Sequence, residues 1–146
     1  MPSIVASRAA AESYLWAIIL FPLLGALVNG FTGRRIGRGN VALVAIGAMV
    51  GSFLVAAVAF SWTLKGQVLQ FRGDPWFRVA GPDGRALVSI GWGLLVDQLS
   101  GTMIMVVTGV GTLIHIYSAS YMSHENDAGF ARYFTYLNLF VAAMLT

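Results

Sequence analysis

Long uncharged apolar runs alternate with short polar interruptions along this chain, and the run lengths decide how it is read. Ser13 to Gly33 carries no charge, and Tyr14–Phe31 is apolar apart from Asn29. A helix rises about 1.5 Å per residue and the hydrocarbon core of a bilayer is roughly 30 Å thick, so about 20 such residues cross it. The run predicts a first membrane helix at about 14–31. Pro22 lies inside it, which membrane helices tolerate better than soluble ones. Arg8 is matched by Glu12, the run exceeds a signal-peptide core, and no A-x-A pattern follows, so helix 1 is read as retained.

The next interruption, Gly33-Arg34-Arg35-Ile36-Gly37-Arg38-Gly39-Asn40, packs three arginines into eight residues. Val41–Leu64 then runs without a charge and predicts helix 2 at about 41–64, with a weak GxxxG signal at Gly47 and Gly51. Between residues 65 and 96 the pattern changes: charges return with Asp74-Pro75 and Gly81-Pro82-Asp83-Gly84. The second of these suits a type I turn, and Trp76–Ala80 and Ala86–Trp92 flank it with β-favouring residues. This is the pattern of an extramembrane β-hairpin, with strands too few and too short for a barrel.

From Leu99 the chain is uncharged through His124, giving helix 3 at about 99–122 with Asp97 just before it. Ser123–Gly129 reads as a polar loop, and helix 4 runs from about 130 to the end. The apolar stretch Tyr133–Thr146 reaches only about 21 Å and has no polar cap, so the expectation is a transmembrane helix cut off by the end of the sequence. The fold class is therefore an all-α polytopic membrane protein of four transmembrane helices, the fourth truncated, with a β-hairpin between helices 2 and 3.

Composition closes off the alternatives. Hydrophobic residues make up 58% of the 146 residues and charged residues 10%, too few charges to clothe a small soluble fold. Disorder needs the opposite balance. A net charge of +3 raises the question of nucleic acid, but the arginines are scattered and form no basic face. In such a chain basic residues fix topology. Arginine density places the helix 1–2 loop inside and the N-terminus outside, while Lys65, Arg72, Arg78 and Arg85 in the hairpin loop count against that choice. The absence of cysteine removes disulfides, thiolate metal sites and thiol catalysis.

His115 is the sharpest candidate. An ionisable group two-thirds along helix 3 is costly unless it faces protein or water, and an imidazole suits proton relay. A neutral ring hydrogen-bonded to a neighbouring helix is the reading the residues alone favour, with proton relay as the alternative. Asp97 fits the N-cap of helix 3, with a functional carboxylate at the membrane edge as the alternative. Glu125 and Asp127 read as a solvated loop, and Asn138 and Thr108 as interhelical hydrogen bonders or the lining of a hydrated path. No ligand spacing for a metal is present, Gly109-Val110-Gly111 lacks the rest of a dinucleotide fingerprint, and no P-loop or nucleophile elbow occurs. No catalytic or cofactor-binding residue is assigned.

One long ordered string carries a resemblance. Leu95-Val96-Asp97-Gln98-Leu99-Ser100, Val106-Val107-Thr108-Gly109-Val110-Gly111-Thr112-Leu113-Ile114-His115-Ile116-Tyr117-Ser118, Tyr121-Met122 and Arg132-Tyr133-Phe134-Thr135-Tyr136-Leu137-Asn138-Leu139-Phe140 together resemble the N-terminal region of the antiporter-like chain L family of respiratory complex I, subunit 5 in mitochondria. Gln98 and Gly101 depart from the family pattern at helix 3's first turn, away from proton-carrying positions.

The resemblance implies a larger helical fold with inverted repeats and discontinuous helices, which moves protons while the complex passes electrons from NADH to quinone. It implies an outside N-terminus, a bacterial inner membrane and other complex I membrane subunits, especially antiporter-like ones, as partners besides the lipid bilayer. NADH, FMN, iron–sulfur clusters and quinone would sit on other parts of the complex, and nucleic acid is not a partner. His115 matches the family's helix 3 histidine, whereas the family's glutamate and lysines lie beyond Thr146. The alternatives are the large subunit of a multi-subunit sodium/proton antiporter and a stand-alone four-helix scaffold without transport activity.

Overall fold

The computed structural model describes residues 14–72, 76–80, 86–91 and 93–146. Its elements are α1 (Leu15–Ile36), α2 (Arg38–Thr63), β1 (Leu69–Arg72), β2 (Phe77–Ala80), β3 (Ala86–Ile90), β4 (Gly93–Val96), α3 (Gln98–Tyr121) and α4 (Asp127–Met144), with a 3₁₀ turn at Met122–His124. Among the described residues, three helical stretches are long and apolar enough to cross a membrane: Leu15–Ile36, Arg38–Thr63 and Gln98–His124. α4, with 18 residues, is a further helix whose first turns carry Asp127 and Arg132. This is an integral membrane protein.

Two helix boundaries differ from the hydropathy pattern for one reason. The eight-residue arginine loop shrinks to Gly37, because α1 continues through Arg34 and Arg35 to Ile36 and α2 begins at Arg38. Hydropathy marks where lipid ends, not where helix ends; arginine is a good helix former, and at a C-terminus it complements the macrodipole. Gly37 breaks the helix with φ +78°, a backbone state that side-chain-bearing residues rarely adopt.

Around an apolar core that includes Phe134, Leu15 and Met49, the bundle also exposes large apolar side chains and buries polar ones. Leu24, Phe31, Leu43, Leu54, Leu113 and Tyr117 are exposed, while Asn29, Ser52, Thr63, Thr108, His115, Ser118 and Asn138 are buried. Lipid is as apolar as leucine, so large apolar side chains gain nothing by turning inward, and small or hydrogen-bonding residues hold the interfaces. α1 packs on both α2 and α4, and α3 packs chiefly on α2 and less on α4. A Cβ built on Gly25 would meet Ala48 Cβ at 2.8 Å and Asn138 Nδ2 at 3.0 Å, and one on Gly33 would meet Ala131 Cβ at 2.7 Å. Of the GxxxG pair, Gly51 faces Phe21 at 3.2 Å whereas Gly47 has nothing within 4 Å.

The β-region holds more than the predicted hairpin. β2 and β3 pair antiparallel from Phe77↔Ile90, as the pattern of Trp76–Ala80 and Ala86–Trp92 anticipates; the Gly81–Gly84 turn, Asp74-Pro75 and Trp92 lie outside the described residues. A second ladder joins β1 to β4, Leu69↔Val96 to Arg72↔Gly93. The register puts Leu69 and Val96 on one face, where they are buried with Leu15, Ile18, Ala56 and Ala59 at the helix ends. Trp16 adds an edge contact to Phe71 at 5.5 Å. The start of α1 and the β-region thus share one end of the bundle, and the α1–α2 and α3–α4 connections share the other. At that second end Arg38 Nε donates to Asp127 Oδ1 at 2.5 Å and Arg38 Nη1 to the Ser123 carbonyl at 2.6 Å.

Candidate functional site

α3 turns a stripe of Gly101, Thr108, Gly111, His115 and Ser118 inward, at the three-and-four spacing of one helix face. Gly111 lets α2 come close, since its Cβ would meet Met49 Cε at 2.8 Å. His115, one turn on, is fully buried. Its Nδ1 lies 2.7 Å from the Gly111 carbonyl and its Nε2 lies 3.1 Å from Asn138 Oδ1. The Phe134 ring, 6.0 Å away between centroids, covers one side. Behind the pair, α3 and α4 leave an apolar groove of about 330 Å³ lined by Val107, Val110, Ile114, Leu137 and Phe140 as well as His115.

This geometry restricts the proton positions. A carbonyl oxygen only accepts, so Nδ1 carries a hydrogen and donates it to Gly111. Nε2 then has two matched states. As a neutral acceptor it requires an N–H from the Asn138 amide; as a protonated donor it requires the amide oxygen, the orientation in the structure. In that orientation Asn138 Nδ2 has no partner. A half-turn of the amide exchanges the two states without moving either helix.

The other candidates fall in separate places. Asp97 caps α3: its Oδ1 accepts from the Ser100 N–H at 2.7 Å and the Ser100 hydroxyl at 2.6 Å, and these bonds hold its carboxyl below the usual value of 3.8. Thr108 is buried but does not bridge helices. Its hydroxyl donates to the Ile104 carbonyl at 2.7 Å in its own helix, the common bond for threonine inside a helix with no facing acceptor. Glu125 is exposed as expected, whereas Asp127 is no free loop residue: it belongs to the first turn of α4 and pairs with Arg38. Asn138 makes the interhelical bond.

Sequence reasoning passed over several polar contacts. Ser52 Oγ donates to the Ile18 carbonyl at 2.6 Å, Asn29 Nδ2 to the Val41 carbonyl at 3.1 Å, and Ser118 and Tyr133 share a hydrogen bond of 3.0 Å. Asn126 caps α4 by accepting from the Gly129 N–H at 2.6 Å. Asn126 three residues before a glycine is a readable cap signal; the partners of Ser52 and Asn29 lie on other helices and leave no local mark.

Comparison with known proteins bears on the same helices. The family described as NADH-Ubiquinone oxidoreductase (complex I), chain 5 N-terminus, matches residues 85–134, which include His115 and stop short of Asn138. NADH-quinone oxidoreductase subunit L of Rickettsia bellii is 36% identical over 129 residues, 88% of this chain and 19% of the relative. Subunit L of Mycobacterium tuberculosis is 36% identical over 138 residues, 90% of this chain and 20% of the relative. NADH-ubiquinone oxidoreductase chain 5 of Rhizopus stolonifer is 37% identical over 130 residues, 88% of this chain and 19% of the relative. The chain spans about a fifth of the length of the curated relatives it matches. Over nearly all of its own length, then, it is a relative of subunit L, or chain 5, of the NADH-quinone oxidoreductases, and its matched segment is that family's N-terminal one.

Proposed function

We propose that this chain serves in the membrane arm of a proton-translocating NADH:quinone oxidoreductase and that His115 holds a proton there. The observation that carries the reading is a buried imidazole in the matched segment whose Nε2 alone is free to change state, set against Asn138 on α4 just beyond that segment. Because Nδ1 is tied to Gly111, a proton arrives and leaves at Nε2. Asn138 then turns its oxygen or its N–H to the ring, so each state keeps a hydrogen bond. A charge at this depth is expensive in lipid and becomes tolerable when protein dipoles or water face it.

Electron carriers belong to other parts of the complex in this reading. With no cysteine the chain offers no thiolates for an iron–sulfur cluster, and NADH, FMN and quinone are handled elsewhere. Its partners are the other membrane subunits, among them antiporter-like neighbours. Arg34, Arg35 and Arg38 at the α1–α2 corner support placing that end on the inside of a bacterial cytoplasmic membrane, with the start of α1 and the β-region outside.

Two measurements test this. Native separation of source membranes should find the chain migrating with NADH:quinone oxidoreductase activity; migration apart from it would remove the complex assignment. Within the assembled complex, His115→Gln should lower the protons moved per electron. An unchanged ratio at normal assembly would leave His115 a packing residue only.

A further inference from the structure

At the end of the bundle away from the β-region, α1 and α4 flank a recess of about 240 Å³ whose lining, unlike that of the groove beside His115, includes basic and polar residues. Arg34, in the last turn of α1, and Arg132, in the second turn of α4, both line it, together with Asn29, Gly30, Thr135 and Tyr136. Two guanidinium groups on neighbouring helices face one space because small residues bring those helices together, Gly33 against Ala131 and Gly30 against Thr135. Arg132 Nε donates to the Ala128 carbonyl at 3.2 Å, and its terminal nitrogens remain available. Among the described residues neither arginine is ion-paired; Asp127, the nearby carboxylate, is held by Arg38.

Asn29 supplies the independent observation. It is 1% exposed, its Nδ2 is committed to the Val41 carbonyl, and its Oδ1 has no hydrogen-bond partner. A ligand that suits this lining carries an anionic, multi-oxygen group for two guanidinium forks and a hydroxyl to donate to a buried amide oxygen. Phosphate chemistry meets both demands. Tyr136 is 64% exposed beside the recess, and exposed Leu139 and Leu27 continue the two helix faces one turn further from the arginines, an apolar surface of the kind acyl chains cover.

We infer that this recess binds a phosphate group, and that in the membrane its source is the headgroup of an anionic, hydroxyl-bearing phospholipid. The site does not depend on proton translocation.

The test uses the full chain in phosphatidylcholine nanodiscs, with the thermal midpoint of the helical signal followed as phosphatidylglycerol replaces phosphatidylcholine. A saturable rise is expected. Arg34→Gln and Arg132→Gln should each weaken the apparent affinity about fivefold, the effect of one basic contact to an anionic surface. Arg35→Gln, outside the recess, should not. Inorganic phosphate in the phosphatidylcholine discs separates the sources: a rise with phosphate alone would keep the site and assign it to free phosphate. No saturable rise, or equal weakening by Arg35→Gln, would overturn the proposal. If a glutamine variant fails to fold, the Arg34→Lys and Arg132→Lys pair retains the charge and removes the forks, and unaltered phosphatidylglycerol affinity would overturn it equally.

Discussion

The α1 and α3 sides of α4 are packed by opposite means. Against α1, α4 presents Ala131 and Asn138 to Gly33 and Gly25, so closely that an added Cβ would lie within 3.0 Å of its neighbours. Against α3 it presents Leu137, Phe140 and Val141 to Val107, Val110 and Ile114, and a groove of about 330 Å³ stays open between them. His115 and Asn138 sit where the two seams meet. The tight seam fixes α4 against α1 and α2, and the looser one leaves room beside the imidazole. Small residues therefore decide where the backbone is rigid, and bulky ones where it is not.

Breaking the tight seam should have the largest effect. Gly25→Leu forces a side chain into contact with Ala48 and Asn138, and a loss of about 3 kcal/mol is expected from overpacking with backbone displacement. Gly47→Leu provides the contrast: nothing lies within 4 Å of that position, and a change within about 0.5 kcal/mol is expected. Unfolding of both variants in detergent, followed by helical signal, measures the difference. Equal losses would mean that the glycine approach does not fix α4.

The β-region end is the next place to probe. Leu69 is fully buried under β1, against Leu15, Ile18 and Ala59. Leu69→Ala should lower stability by about 2–3 kcal/mol, through lost burial and the cavity it leaves. The deficit should spare the His115–Asn138 pair, so the tight seam's response to Gly25→Leu should add to it. Strong non-additivity in the double variant would show that the β-region and the seam unfold as one piece.

These positions also mark what sequence alone could reach. Three spans and the β2–β3 pairing were legible because each is a continuous local pattern: an uncharged run, or β-favouring residues flanking a Gly-Pro-Asp-Gly turn sequence. The β1–β4 ladder was not, since Leu69 and Phe71 pair with Val96 and Leu94 across more than twenty residues of intervening chain. His115 and Asn138 were each legible as misplaced polar residues in apolar runs, but their pairing depends on how far α4 is drawn toward α1. Gly25 and Gly33 carry that information, and a glycine in a membrane helix is too common to signal it. Thr108 went the other way: its type suggested a bridge, and its own helix's carbonyl satisfied it.

A double-mutant cycle on His115→Ala and Asn138→Leu isolates the pair at the junction of the seams. Coupling of about 1 kcal/mol is expected, in keeping with interhelical hydrogen bonds in membranes. Asn138→Asp sharpens the reading, because a carboxylate beside Nε2 matches only the protonated ring; the imidazole's proton count, followed by NMR at neutral pH, should rise. A cycle with no coupling would mean that the 3.1 Å contact contributes nothing and that the groove side of α4 is held by shape alone.

The smallest effect is expected where the looser helix begins. The Ser100 hydroxyl and N–H both favour the ionised form of Asp97, so its folded carboxyl lies below the ordinary 3.8. The sign follows from linkage: a carboxyl whose folded value is depressed stabilises the fold fully above the unfolded value, and the contribution fades as pH falls through the lower folded one. At neutral pH the cap is fully formed; below the ordinary carboxylate range α3 should begin to fray at Gln98–Ser100 while the α1–α4 seam, whose close contacts are Gly25 on Asn138 and Gly33 on Ala131 with no carboxylate among them, holds. Amide exchange of Gly101 and Thr102 measured from pH 6 downward reports this. Asp97→Asn keeps an acceptor for the Ser100 N–H and removes the proton linkage, so its exchange should follow the intrinsic acid dependence alone. If the native chain shows the same dependence as this variant, the carboxylate's charge adds nothing to the cap, and the start of α3 is held by the β4 connection instead.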